Sequence, residues 1–148
     1  MKALGAVETY IQASGLEQSV IDLVKTRASQ INGCAYCIHL HTRDARTRGE
    51  SEERLYLFNA WRDSPLYTRR ERAALAWTEA VTLVAQTHVP DAVYEEVRQH
   101  FAEDEVVKLT LAVCQRHRQT RGSQEVAQCA SKSVTAVFVS YAERIWLI

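Results

Sequence analysis

Two cysteines three residues apart, with a histidine four residues beyond the second, carry the clearest chemistry in this chain. The stretch reads Asn32-Gly33-Cys34-Ala35-Tyr36-Cys37-Ile38-His39-Leu40-His41. If Cys34 opens a helix, positions 34, 37 and 41 fall at about 0°, 300° and 340° around its axis, one face about 60° wide. His39 lies about 140° from the Cys34 direction and points elsewhere. Two thiols and an imidazole on one face can make and break a disulfide, or bind a metal. A thiol with its ordinary pKa near ~8.5 is mostly protonated at neutral pH, whereas the thiolate is the nucleophile. The first turn of a helix offers unpaired N–H groups and the positive dipole end, and His41, one turn past Cys37, can take the proton. Once a peroxide oxidises such a thiol to a sulfenic acid, the second thiol condenses with it and stops the oxidation at a disulfide. An external dithiol then restores the pair.

Other readings of the same residues stay open. Cys34, Cys37, His39 and His41 are all acceptable zinc ligands. A helix turns His39 away, and no second Cys/His pair stands at finger spacing, which leaves three ligands and an open fourth position. A cysteine pair that merely packs is a third reading. Cys114 and Cys129 match no motif and read as buried or incidental thiols. His88 and His100 sit near helix ends, where capping or surface roles are usual. Trp61, Trp77 and Tyr67 read as core.

The elements that must position the motif are helical. One helix spans about residues 3–13 and stops at Ser14-Gly15. A second spans about 17–31, with Val20, Ile21, Leu23, Val24, Ala28 and Ile31 on one side at helical period. Asn32-Gly33 ends it, since both residues tolerate a left-handed backbone. The cysteine helix follows over about 34–48, its end basic with Arg43, Arg46 and Arg48 as suits a helix C-terminus. Ser51-Glu52-Glu53 starts a short helix to about residue 61, broken by Ser64-Pro65. Thr68-Arg69-Arg70-Glu71 is a capping box that opens a long alanine-rich helix to about residue 86. Pro90 suits the first turn of a helix to about 101, and another runs from about 103 to 113. The expectation is an all-α bundle of about seven helices, with no internal repeat and no βαβ alternation. After Val113 the composition changes. Residues 115–124 are polar, with Arg116, Arg118 and Arg121, and residues 134–139 are β-branched and compatible with strand or helix.

The 148 residues suit one domain, with 47% hydrophobic and 24% charged residues in an ordinary globular balance. Eighteen basic and eighteen acidic residues cancel, so no global charge points to nucleic acid or an anionic membrane. Five Gly and two Pro favour long helices over turn-rich β structure. Neither a signal peptide nor a membrane span is visible, which makes the cytoplasm the expected compartment. There, a close cysteine pair suits catalysis or metal binding better than a structural staple.

The run from Leu23 to Cys37, Leu-Val-Lys-Thr-Arg-Ala-Ser-Gln-Ile-Asn-Gly-Cys-Ala-Tyr-Cys, with His41 following, closely resembles the alkyl hydroperoxidase D-like branch of the carboxymuconolactone decarboxylase family. Glu71-Arg72-Ala73-Ala74-Leu75-Ala76-Trp77-Thr78-Glu79-Ala80, and His100-Phe101 leading into Leu109-Thr110-Leu111, resemble it too. The likeness covers about residues 1–113, so 114–148 read as a divergent tail of the same domain. It implies an all-helical fold that assembles into trimers or hexamers, and peroxidase or disulfide-reductase activity without metal, haem or other cofactor. It implies a peroxide substrate and an external dithiol or thiol-protein reductant. It further implies a proton relay of both cysteines, His41 and an acid twelve positions before the first cysteine. That acid is Asp22 here, where the family pattern usually has Glu; a water can bridge the missing methylene. The helical period speaks against Asp22, about 160° from the centre of the apolar stripe, and reads it as a solvated acid. Tyr36 stands between the cysteines where some peroxidase members have histidine. The expected function is a thiol-dependent peroxidase in which Cys37 attacks the peroxide, Cys34 resolves, His41 moves the proton and Asp22 orients or relays; the two cysteine roles are exchangeable, since both ends of the motif carry activating features. A non-catalytic oligomeric domain with regulatory thiols and a decarboxylase-branch member are the alternatives.

Overall fold

Eight α-helices and one 3-10 turn succeed one another through residues 2–115, the part of the chain that the computed structural model describes. They are α1 (Lys2–Gln12), α2 (Gln18–Ile31), α3 (Ala35–Thr47), α4 (Glu52–Tyr56), the 3-10 turn Phe58–Ala60, α5 (Arg69–Thr82), α6 (Val84–Thr87), α7 (Asp91–His100) and α8 (Glu103–Cys114). No strand occurs among the described residues, and the all-α expectation stands. The polar run after Gln115, Cys129 and the β-branched stretch at 134–139 lie outside them.

The core explains the order. α2 lays Val20, Ile21, Val24 and Ala28 against Ala73, Ala74, Trp77, Ala80 and Val81 of α5. α7 and α8 close the other side with Val97, Leu109, Ala112 and Val113, and α1 adds Ile11. The small side chains of α5 let the helices approach closely, and Trp77 fills the space left over, fully buried with its indole N–H donating to Thr110 Oγ1 at 3.0 Å. A second, smaller cluster joins Leu23, Phe58, Trp61, Tyr67 and Leu75. It roofs the far side of α2 and α5. α3 stands outside both clusters and packs chiefly on α2.

Two expected elements are divided, the first being the short helix from Ser51, which ends at Tyr56 before the 3-10 turn Phe58–Ala60. The long helix from residue 69 breaks at Leu83, so what reads as one element is α5 followed by the single turn α6, and seven expected helices become eight. The hydroxyl of Thr87 donates to the Ala80 carbonyl at 2.9 Å. That carbonyl is the one Val84 N–H would need for an unbroken helix. The capping box is formed: Glu71 N–H donates to Thr68 Oγ1 at 3.2 Å and Thr68 N–H to Glu71 Oε2 at 2.8 Å.

Candidate functional site

The turn between α2 and α3 places the motif. Gly33 takes φ +64°, a left-handed value that closes the turn at no steric cost. Cys34 N–H then donates back to Ser29 O at 3.1 Å. Cys34 does not open α3, as the spacing suggests; it caps it. Its backbone is extended (φ −88°, ψ 93°), and its Sγ accepts from Cys37 N–H at 3.3 Å. Sulfur here takes the place that a serine or aspartate oxygen takes at an ordinary N-cap. Cys34 and Cys37 are joined in a disulfide with their Cα atoms 5.3 Å apart. Both are half-buried, while Tyr36 between them is 51% exposed. The pair therefore sits in the first turn of α3, where free N–H groups and the dipole favour negative charge on sulfur once the bond is reduced.

His41 follows one turn later and is buried, 8% exposed. His39 is exposed and lines an open recess on the outer side of α3 with Thr42, Arg43, Arg46 and Thr47. The angular argument that separates the two histidines thus describes the fold. Cys34, Cys37, His41, Ala45 and Arg48 follow one another at spacings of three and four, the side of α3 that α2 covers.

Asp22 corrects the periodicity. It is 6% exposed, not solvated. Arg48 Nε donates to its Oδ2 at 2.7 Å and Arg48 Nη2 to its Oδ1 at 2.7 Å, while Gln18 Nε2 donates to Oδ1 at 2.9 Å. The Asp22 hydrogen bond raises the proton affinity of the Arg48 guanidinium above its ordinary value, against a smaller opposing effect of burial. The error has a physical origin. α2 is buried on two sides, so the apolar stripe marks only the side toward α5. The side toward α3 is polar and still covered: Asp22, Lys25, Thr26 and Ser29 are all buried. Sequence reasoning passed over Arg48 as one of several cations at a helix end; its place on the Cys34-Cys37-His41 face was the available signal.

Other expected roles fall away from this face. Cys114 is a free thiol that burial pushes up to about 11, inert at neutral pH. His88 is exposed in the turn before α7. Trp61, Trp77 and Tyr67 are buried as core. Among the described residues no three His, Cys, Asp or Glu side chains converge on a point where a metal ion would fit. No helix among them is long and apolar enough to cross a membrane.

Comparison with known proteins gives this geometry its relatives. The model of the carboxymuconolactone decarboxylase family matches residues 1–80. The uncharacterized Bacillus subtilis protein YdfG is 42% identical over 115 residues, 78% of each chain. The uncharacterized Escherichia coli protein YnjA is 31% identical over 100 residues, 68% of this chain and 54% of its own length. A crystal structure of an Agrobacterium tumefaciens protein of unknown function superposes with a TM-score of 0.73 at 49% identity, covering 76% of this chain and 77% of that one. The description of that protein suggests the antioxidant defence protein AhpD.

Proposed function

The chain belongs to the carboxymuconolactone decarboxylase family, and from that premise we propose that it is a thiol-dependent peroxidase of the alkyl hydroperoxidase D-like kind, with an antioxidant role. The observation that carries this reading is the Cys34–Cys37 disulfide at the start of α3 with the buried His41 one turn along. The AhpD suggestion attached to the Agrobacterium protein points the same way.

In the reduced protein Cys37, the cysteine nearer His41 in the helix, is the attacking thiolate. Its sulfur takes the distal oxygen of the peroxide, the O–O bond breaks, and the departing alkoxide receives a proton from His41. Cys37 is then a sulfenic acid. Cys34 attacks that sulfur, water leaves, and the disulfide forms. Each turnover consumes one peroxide, releases one alcohol and one water, and oxidises two thiols. An external dithiol or a thiol protein returns two electrons by exchange, and the exposed Tyr36 leaves the motif open to it. Asp22 supports this face of α3 without touching sulfur. No metal or organic cofactor enters the cycle, and the working form is a homo-oligomer in the cytoplasm.

One titration tests the reading. Reduced protein receives one equivalent of cumene hydroperoxide, and free thiols are counted before and after. Loss of two thiols per peroxide, mapped to Cys34 and Cys37, is the expected result. If both stay reduced, or Cys34→Ser turns over peroxide with a dithiol reductant as fast as wild type, the cysteines are regulatory or inert.

A further inference from the structure

We propose that Arg48 is a positioning residue for the dithiol face, acting through Asp22 as a fixed ion pair. The inference rests on the peroxidase reading for its chemistry and on the contacts between α2 and α3 for its geometry.

Asp22 and Arg48 meet through two parallel hydrogen bonds of 2.7 Å, the paired geometry that best holds a carboxylate to a guanidinium. A third bond, from Gln18 Nε2 at 2.9 Å, holds the carboxylate from the side of its own helix. The neighbouring polar groups of α2 are committed as well. Thr26 Oγ1 donates to the Asp22 carbonyl at 2.7 Å, and Ser29 Oγ donates to the Lys25 carbonyl at 2.7 Å. Lys25 Nζ spans both oxygens of Glu8 at 2.8 Å. The polar side of α2 is thus built from paired groups.

The pairing has a mechanical effect. α3 is tied to α2 at one end by the Gly33 turn and Cys34 N–H to Ser29 O. At the other end the tie is Arg48, the residue that caps α3, on Asp22. His41 lies between the two ties on the same side of α3. Loss of the distal tie strands a buried carboxylate without its cation and releases the C-terminal end of α3, which alters how His41 meets Cys37. Arg48 is 45% exposed, so its substitution opens no large cavity.

The test compares wild type, Arg48→Lys, Arg48→Gln and the double variant Arg48→Gln/Asp22→Asn, all reduced. Two stopped-flow rates are read across pH: oxidation by cumene hydroperoxide and alkylation of the dithiol by monobromobimane. Arg48→Gln slows both by about tenfold, and Arg48→Lys keeps both within about threefold of wild type. The double variant recovers at least about half of the logarithmic loss, because two neutral amides can pair across the gap with no stranded charge. A double variant no faster than Arg48→Gln, or Arg48→Gln at wild-type rate, overturns the proposal. If Arg48→Gln does not fold, the double variant is judged against wild type: both rates within about threefold support the ion pair, and a loss of about tenfold or more overturns it. Wild type that alkylates rapidly yet leaves the peroxide untouched fails the peroxidase reading alone, and the alkylation rates then judge the ion pair separately.

Discussion

At the residue scale, the surroundings of each cysteine decide what it can do. Cys34 and Cys37 meet N–H groups and the positive end of α3; Cys114 packs against the apolar core, and burial pushes its thiol up to about 11. At pH 7.5 Cys114 is then overwhelmingly the thiol and not the thiolate. Iodoacetamide at that pH should label Cys34 and Cys37 in the reduced protein well before Cys114, which peptide mass mapping checks. Equal labelling would mean that Cys114 is not enclosed. In the proposed peroxidase cycle His41 moves the proton. His41→Gln should lower the rate of peroxide-driven oxidation by roughly a hundredfold while leaving far-UV circular dichroism unchanged. The motif itself was legible from spacing alone, because three residues at helical intervals share a face wherever the helix packs. The burial of Asp22 was not, because a helix covered on two sides shows its second interface as a polar stripe that looks solvated.

At the element scale, local chemistry set most boundaries and long-range contacts set the rest. Gly33 and the Thr68–Glu71 capping box mark α2 and α5 directly in the sequence, since each satisfies its own end groups. The break at Leu83 depends on a threonine seven residues beyond Ala80, outside the range of any propensity rule. Thr68→Ala should cost about 1 kcal/mol in denaturant unfolding through the lost cap. Glu71 has a second use in the Arg54 ion pair, 2.6 Å from Arg54 Nη2 to Glu71 Oε1. Burial raises its proton affinity, but the Arg54 and Thr68 hydrogen bonds outweigh it, so its carboxyl is held below the ordinary 4.5. A carboxylate lowered in the folded state contributes stability that is complete above its unfolded value and is lost as pH falls through the folded one. Thermal midpoints measured downward from pH 6 should therefore begin to fall near pH 4.5. Glu71→Gln should flatten that slope; an unchanged slope would remove Glu71 from the acid response.

At the scale of the whole molecule, the disulfide adds little to the fold. Its cysteines are three residues apart, so closing the ring removes little freedom from the unfolded chain, about 2 kcal/mol at most. The long-range stability comes from elsewhere, from α2, α5, α7 and α8 around Trp77. Reduction should lower the thermal midpoint by no more than about 8 °C in calorimetry. A loss of about 20 °C would assign the bridge a structural role and count against a cycling one. Leu109→Ala, by contrast, should cost about 2–5 kcal/mol, since Leu109 is fully buried.

The turn at Gly33 has one more consequence, in time rather than in space. Every group assigned to the dithiol face lies between Asp22 and Arg48, on two helices joined by that turn. Such contacts are close in sequence, and contacts close in sequence form early. The α2–α3 hairpin can assemble before α5, α7 and α8 reach it.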